Sequence, residues 1–104
     1  MGDIPQGAEL VQVRFSDWIE SASSRGHIVQ IVHSWVLLGL HGAFGGHISY
    51  ASAIDWNHTG DVLGLVIDFG DADEQAGMEL LARVMLNISK EIAPIEEIRI
   101  QRAK

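Results

Sequence analysis

Histidines are the residues of this chain whose chemistry is most easily tested against known sites. His41 and His47 flank a glycine-rich segment, residues 42–46, and His33 precedes them. Three imidazoles with one open coordination position form the ligand set of many zinc hydrolases. The spacing here matches no such signature, and no HExxH sequence is present. Hydrogen bonds to nearby groups explain these histidines better, so we predict no metal ion and no cofactor.

Other catalytic motifs are also missing from the sequence. The glycines of residues 39–46 form neither GxGxxG nor GxxxxGK[ST], the patterns of nucleotide-binding loops. No serine lies in a GxSxG nucleophile elbow. The chain has no cysteine, which removes thiol chemistry. The sequence therefore offers no motif on which an enzymatic reaction can be based.

An acidic run comprises Asp68, Asp71, Asp73 and Glu74. Carboxylates can bind a divalent cation, but this run lacks the twelve-residue calcium-loop pattern. Asp71 and Glu74 instead have the spacing of a capping box, with Asp in place of Ser or Thr. Carboxylates are also favourable at the positive end of a helix dipole. We therefore interpret the run as the start of a helix.

Charge is unevenly distributed along the chain, whose formal net charge is −7. Residues 26–82 contain no Lys or Arg but hold all five histidines. Nucleic-acid binding needs a basic surface, so we predict no nucleic-acid partner. No apolar run approaches the roughly 20 residues of a membrane span, and the N-terminus lacks the pattern of a signal peptide. We expect a cytoplasmic protein without a membrane partner.

The elements that must position these residues are organised around residues 61–93. Residues 62–69 alternate as a strand that is apolar on one face and half apolar on the other, which is typical of a central strand. Residues 72–93 predict a long amphipathic helix that ends before Pro94. Its apolar stripe is formed by Met78, Leu81, Met85, Ile88 and Ile92. Leu86 lies off this stripe, where a monomer would place a polar residue.

The remaining segments predict a second helix and three more strands. Residues 8–25 favour one helix, although Val11, Val13 and Phe15 also alternate as in a strand. Residues 27–40 are rich in β-branched residues and favour a strand, with a buried helix as the alternative. Residues 47–56 and 95–102 predict two further strands.

These elements predict a single α+β domain over residues 1–104, with the order α-β-β-β-α-β. Its four-stranded, mostly antiparallel sheet would carry two helices on one face. The alternative interpretation of residues 10–16 as a strand gives an order close to the ferredoxin-like β-α-β-β-α-β pattern.

A hairpin that pairs Trp56 with Asp61 would create a floor of small side chains on the sheet face away from Leu63. This floor, a candidate ligand or subunit contact, comprises Ser49, Ala51, Ala53, Asp55, Gly64, Val66 and Asp68. In this register Asp55 and Asp68 lie at opposite ends of the face, too far apart for joint acid/base catalysis.

The predicted function is a small homo-oligomeric binding module. Two helices can cover only one sheet face, so Val62 and Val66, with Val32 and Val36 in one register, would form an apolar patch. We expect a homodimer or higher even oligomer with this patch or Leu86 at the contact, and a possible small-molecule ligand. One alternative is a small enzyme that uses histidines with Asp55 or Asp68. Another is an acidic, immunity- or antitoxin-like protein that neutralises a basic protein.

Overall fold

The structure, a computed structural model, describes residues 8–102. Within this range the elements are β1 (Glu9–Phe15), α1 (Ala22–Leu40), β2 (Tyr50–Ala51), β3 (Asp55–Trp56), β4 (Val62–Asp68), α2 (Glu74–Glu91) and β5 (Ile95–Arg102). The predicted α+β class is confirmed. The described residues form five strands and not four, because the strand expected at residues 47–56 is interrupted and divides into β2 and β3.

Strand order in the sheet is β2–β4–β1–β5, and β3 also pairs with β4 on the same edge as β2. All of these pairs are antiparallel. If β2 and β3 are counted as one interrupted strand, the element order is β-α-β-β-α-β. This is the ferredoxin-like alternative, and the preferred order α-β-β-β-α-β is wrong.

β1 replaces the first half of the helix that we predicted for residues 8–25. Val11, Val13 and Phe15 are buried on one face of the strand. The strand is central: Val11 lies opposite Leu65 of β4 on one side and opposite Ile100 of β5 on the other. Pairing on both sides satisfies the backbone along this segment, which the helical spacing of its apolar residues did not anticipate.

α1 is a helix over residues that we predicted as a strand, 27–40. Ile28, Val32, Trp35 and Gly39, spaced by four, three and four residues, are buried on one face of it. The helix begins after Ser21, whose side chain accepts a hydrogen bond from the Ser24 backbone N–H at 3.2 Å. Val32 and Val36 therefore belong to the core of the protein and not to the open face of the sheet.

α2 confirms the predicted apolar stripe, since Leu81, Met85 and Ile88 are buried and face the sheet and α1. The cap prediction is wrong by two residues. Asp73, not Asp71, caps α2, and its carboxylate accepts hydrogen bonds from the backbone N–H groups of Gln75 and Ala76 at 3.0 and 3.3 Å. Neither helix in residues 8–102 is long and apolar enough to cross a membrane.

Both helices pack on the same face of the sheet. The buried cluster combines α1 and α2 with the alternate residues of β1 and β4 that include Val11, Val13, Leu63 and Leu65. The opposite face is formed by the intervening residues, such as Leu10 and Val66, which are only partly buried. Within the described residues no element covers this second face, which we call the open face.

Candidate binding site between α1 and the sheet edge

The predicted floor of small side chains does not form as one surface. Trp56 pairs with Leu63 and not with Asp61, so the predicted register is wrong by two residues. The turn is longer than expected, because the Asn57 side-chain oxygen accepts hydrogen bonds from the backbone N–H groups of Gly60, Asp61 and Val62 at 2.9–3.1 Å. This network moves the first strand pair two residues along β4.

An extra residue between β2 and β3 then changes the face on which the floor residues lie. Ser52 interrupts the ladder, because its hydroxyl accepts a hydrogen bond from the Val66 backbone N–H at 2.8 Å. On the β2 side of this bulge, Ala51 lies opposite Ile67 on the helix-covered face. Tyr50 takes the position opposite Asp68 that was predicted for Ser49. Ser49 and Ala53 lie outside the strands.

Four of the predicted floor residues do share the open face. Asp55 lies opposite Gly64, and Val66 and Asp68 follow along β4. Four residues separate Gly64 from Asp68, which corresponds to about 13 Å along a strand. Asp55 and Asp68 are therefore apart, as expected, and do not form a pair of carboxylates that could act on one substrate.

A groove of about 490 Å³ lies between α1 and residues 49–54, and we call it the α1 groove. One wall carries Val29, His33, Val36 and Leu40, spaced by four, three and four residues along α1. This wall adjoins the core, because Val36 is buried, while His33 and Leu40 are exposed. The opposite wall is the chain from Ser49 to Ile54. No acidic or basic side chain apart from His33 belongs to the described lining of the groove.

His33 and Tyr50 are the aromatic polar groups of the α1 groove, and both are exposed. Among residues 8–102, neither side chain forms a hydrogen bond to a carboxylate. Such a contact in a cavity would have favoured the enzyme alternative, which stays a hypothesis. The sequence did hold a signal for the groove: Val29 and Leu40 are apolar positions outside the fully buried residues of α1.

His41 and His47 flank a loop whose role is structural. Phe44 in this loop is buried, with its ring centroid 5.5 Å from that of Trp35. The backbone N–H of His47 donates a hydrogen bond of 2.9 Å to an Asp71 carboxylate oxygen. That bond is the main cause that lowers the pKa of Asp71. No cluster of three or more His, Asp or Glu residues suited to a metal ion occurs in residues 8–102.

The acidic run is explained in part by local hydrogen bonds. Asp73 caps α2, Asp71 holds the loop before β2, and Asp68 accepts a hydrogen bond of 2.9 Å from the Gly70 backbone N–H. These contacts satisfy backbone donors at the turn between β4 and α2. Glu9 of β1 is another acidic group at this turn, and it borders one surface pocket together with Asp68, Glu74 and Arg102.

Glu9 makes the stability of the fold depend on pH. Burial, the hydrogen bond to Glu74 and repulsion from Glu74 and Asp68 raise its pKa from 4.5 to about 7, against the opposing effect of Arg102. The native state thus binds this proton more tightly than the unfolded chain does. Its contribution to stability is fully present below about pH 4.5 and is lost as the pH rises through about 7. Glu9→Gln should therefore stabilise the protein at about pH 8. In this variant the free energy of unfolding should fall less steeply as the pH rises.

Urea unfolding at about pH 5, 6, 7 and 8 tests this prediction, because each curve gives the free energy of unfolding at one pH. Glu20→Gln is the matched control, since Glu20 is an exposed carboxylate in the segment between β1 and α1. We expect its pH profile to match that of the unmutated protein. An unchanged profile for Glu9→Gln would contradict the shared-proton arrangement.

The second predicted contact, Leu86, lies on the other side of the molecule. Its side chain is 60% exposed although it is large and apolar. It borders a second groove of about 310 Å³ between α2 and β5, which we call the Leu86 groove. The lining residues are Ala82, Met85, Leu86, Ser89, Ile95 and Ile98. None of them is charged, and Ser89 is the one polar residue among them, so the exposed Leu86 adjoins a largely apolar groove.

Comparison with known proteins finds no family model, curated protein or solved structure that matches the chain. Its function is therefore inferred from its own residues, above all from the α1 groove, the open face and the Leu86 groove.

Proposed function

We propose that this chain is a small homo-oligomeric binding module whose α1 groove holds an uncharged, largely apolar small molecule. The observation that carries the proposal is the apolar wall that α1 presents to this groove, where Val29 is half-buried and Leu40 is exposed beside the buried Val36. A volume of about 490 Å³ lies within the usual range of small-molecule sites. Apolar side chains in such a groove favour a ligand that removes them from water.

Polar groups on the rim would orient the ligand. His33 from α1 and Tyr50 from β2 stand on opposite walls of the groove. An imidazole can donate a hydrogen bond and, when neutral, can also accept one. Because the described lining has no Asp, Glu, Lys or Arg, a charged ligand would lose hydration without gaining a counter-charge. These groups therefore favour a neutral molecule with one or two hydrogen-bonding atoms.

Self-association is the second half of the proposal. Leu86 and the Leu86 groove expose apolar surface, and the open face carries Leu10, Val62 and Val66 with only partial burial. Surfaces of this kind mark contacts with other protein chains more often than they remain in water. A second copy of the same chain is the partner we propose, since closed two-fold dimers are the commonest solution.

A neutral fluorescent probe, N-phenyl-1-naphthylamine, tests the ligand-binding half. Ala53→Phe should weaken its binding by roughly 10-fold or more, because a phenyl group added at the exposed Ala53 fills the groove and a lost apolar contact of that size is worth more than about 1.4 kcal/mol. The measurement is the fluorescence enhancement of the probe during titration with protein.

Ala43→Phe is the matched control for the probe experiment. Ala43 is also exposed, but it lies in the loop after α1 and does not line the groove. We expect this variant to bind the probe as the unmutated protein does. Equal loss of binding in both variants, or no binding by the unmutated protein, would rule out the groove as the ligand site.

A further inference from the structure

β5 is a long edge strand whose pairing with β1 runs without interruption from Glu97 to Arg102, after an irregularity between Ile95 and Glu97. It contains eight residues, Ile95–Arg102, and within the described chain it pairs only with β1. Edge strands expose unpaired backbone N–H and C=O groups, and proteins usually shorten or interrupt them. The opposite edge of this sheet follows that rule, because β2 and β3 have two residues each and are separated by a bulge at Ser52. β5 is long by comparison.

The sequence of β5 is complementary to itself when two copies pair antiparallel around Ile98. In that register Ile98 lies opposite Ile98 of the partner subunit, and Glu97 lies opposite Arg99 of the partner subunit. Two-fold symmetry repeats the Glu97–Arg99 pair on both sides of the axis. Directly opposite charges stabilise a strand pair, whereas like charges destabilise it.

The neighbouring registers are less favourable. A pair centred on Arg99 brings two arginines together, and a pair centred on Glu97 brings two glutamates together. A pair centred on Ile100 sets Arg99 against Gln101 and leaves no match of opposite charge between described residues. In the single chain, Glu97 and Arg99 already contact each other at 3.2 Å, but both side chains are about half exposed and are free to rearrange.

The Leu86 groove lies beside this edge. Leu86 and Ile98 both border it, and its lining contains no charged residue. Pairing around Ile98 brings the apolar side chain of Ile98 of the partner subunit to this groove, on the sheet face that the helices cover. The same contact therefore explains three separate features: a long edge strand, an exposed leucine and opposite charges spaced around one isoleucine.

We propose that two copies of this chain associate through β5, with Ile98 on the two-fold axis and Leu86 of each copy buried at the contact. The inference rests on the self-association part of the proposed function, and it assigns that association to the edge of β5 and not to the open face. The α1 groove is lined by α1 and residues 49–54, at the opposite edge of the sheet, and remains accessible in such a dimer.

Disulfide trapping tests the register, and the absence of native cysteine gives it a clean background. Ile98→Cys should form a covalent dimer under mild oxidation, because directly opposed strand residues fall within the roughly 4.4–6.8 Å between Cα atoms that a disulfide needs. Gln101→Cys is the control on the same strand. Its two copies would lie six residues apart along the pair, about 20 Å, and should stay uncrosslinked.

A mixture of Glu97→Cys and Arg99→Cys proteins provides a second test that leaves Ile98 intact. We expect the mixed disulfide between these two variants to form in clear excess over either homodimer, since only the mixed pair is directly opposed in the proposed register. If neither Ile98→Cys nor this mixture is trapped while the unmutated protein sediments as a dimer, the β5 contact is wrong and self-association through another surface stands.

Sedimentation of lysine variants then distinguishes a dimer contact at β5 and Leu86 from a contact at the open face. Leu86→Lys should weaken the dimer by roughly 10-fold or more, because a charge is placed in an apolar contact. Asn87→Lys adds the same charge one residue away on the exposed side of α2 and should have little effect. Val66→Lys on the open face should also leave the dimer intact. Dissociation by Val66→Lys alone would assign the contact to the open face and overturn the inference.

The oligomeric state of the unmutated protein tests the proposed self-association as a whole. Sedimentation as a monomer at roughly 100 μM, far above the dissociation constant of a stable dimer, would overturn both the β5 contact and the proposed self-association. Probe binding to the α1 groove is measured separately and would be unaffected by that result.

Discussion

Leu81→Ala should lower the free energy of unfolding by about 2–5 kcal/mol, the usual cost of a large-to-small change in a packed core. Leu81 has no exposed surface and lies in the middle of the α2 stripe, between the sheet and α1. Ile88→Ala should have a similar effect, because Ile88 is only 2% exposed. Urea denaturation followed by circular dichroism measures both changes.

Leu86→Ala provides the control on the same helix. It removes the same atoms, but Leu86 is 60% exposed, so we expect a change within about 0.5 kcal/mol at protein concentrations low enough to keep the chain monomeric. Changes below about 0.5 kcal/mol for both Leu81→Ala and Ile88→Ala would show that the stripe does not form the core.

The residues of β4 and α2 illustrate what the sequence could predict. Leu63, Leu65 and Ile67 alternate as expected of a strand with one fully buried face, and all three are buried. Residues of α2 repeat at helical spacing and form the buried side of the helix. In both elements the spacing of the apolar residues and the secondary-structure preference of the residue types agree. The sequence pattern was therefore sufficient to predict a strand at β4 and a helix at α2.

α1 shows where the sequence misled. Its β-branched residues favour a strand, yet Ile28, Val32 and Trp35 already have helical spacing, and burial decided in favour of that spacing. Gly39 also belongs to this buried side of the helix, because a side chain there would collide with Ile48 and Phe44. A strand at β1 with a helix starting only at Asp17 would have left a short crossover helix of about two turns, which favoured a single helix over residues 8–25. The crossover helix after β1 is instead 19 residues long.

The candidate site was harder to predict because it depends on register. One bulge at Ser52 places Ala51 on the covered face and leaves Ala53 outside the strands. A turn held by the Asn57 side chain moves the pairing of Trp56 by two residues. Each of these effects depends on side-chain hydrogen bonds that periodicity does not encode. The α1 groove also required knowing that α1 is a helix.

Trp35 is expected to be the most sensitive single position of the core. Its side chain is 1% exposed, and its indole Nε1–H donates a hydrogen bond of 2.8 Å to the Gly77 carbonyl oxygen. Its ring lies 5.5 Å from Phe44 and 6.3 Å from Phe69. Trp35→Ala should therefore lower the free energy of unfolding by about 3–5 kcal/mol, the range for a buried aromatic residue replaced by alanine.

Trp35→Phe separates the hydrogen bond from the packing. Phenylalanine keeps an aromatic ring in the cluster but loses the donor to Gly77, so we expect a smaller loss of about 1–3 kcal/mol. The site has little freedom to close around the smaller ring on the α2 side. A methyl group at Gly77 would already lie 2.9 Å from Phe44 and 3.1 Å from Phe69, so this contact between helix and aromatic rings is tight.

Trp18→Phe is the matched control, since Trp18 is 54% exposed in the segment between β1 and α1. We expect a change within about 0.5 kcal/mol, as for most surface substitutions. Circular dichroism should follow unfolding in all three variants, because each one changes the intrinsic fluorescence. Equal effects of Trp35→Phe and Trp18→Phe would contradict the placement of Trp35. Because Trp35 of α1 contacts Gly77 of α2, Phe44 of the loop and Phe69 after β4, its loss would weaken all three contacts at once.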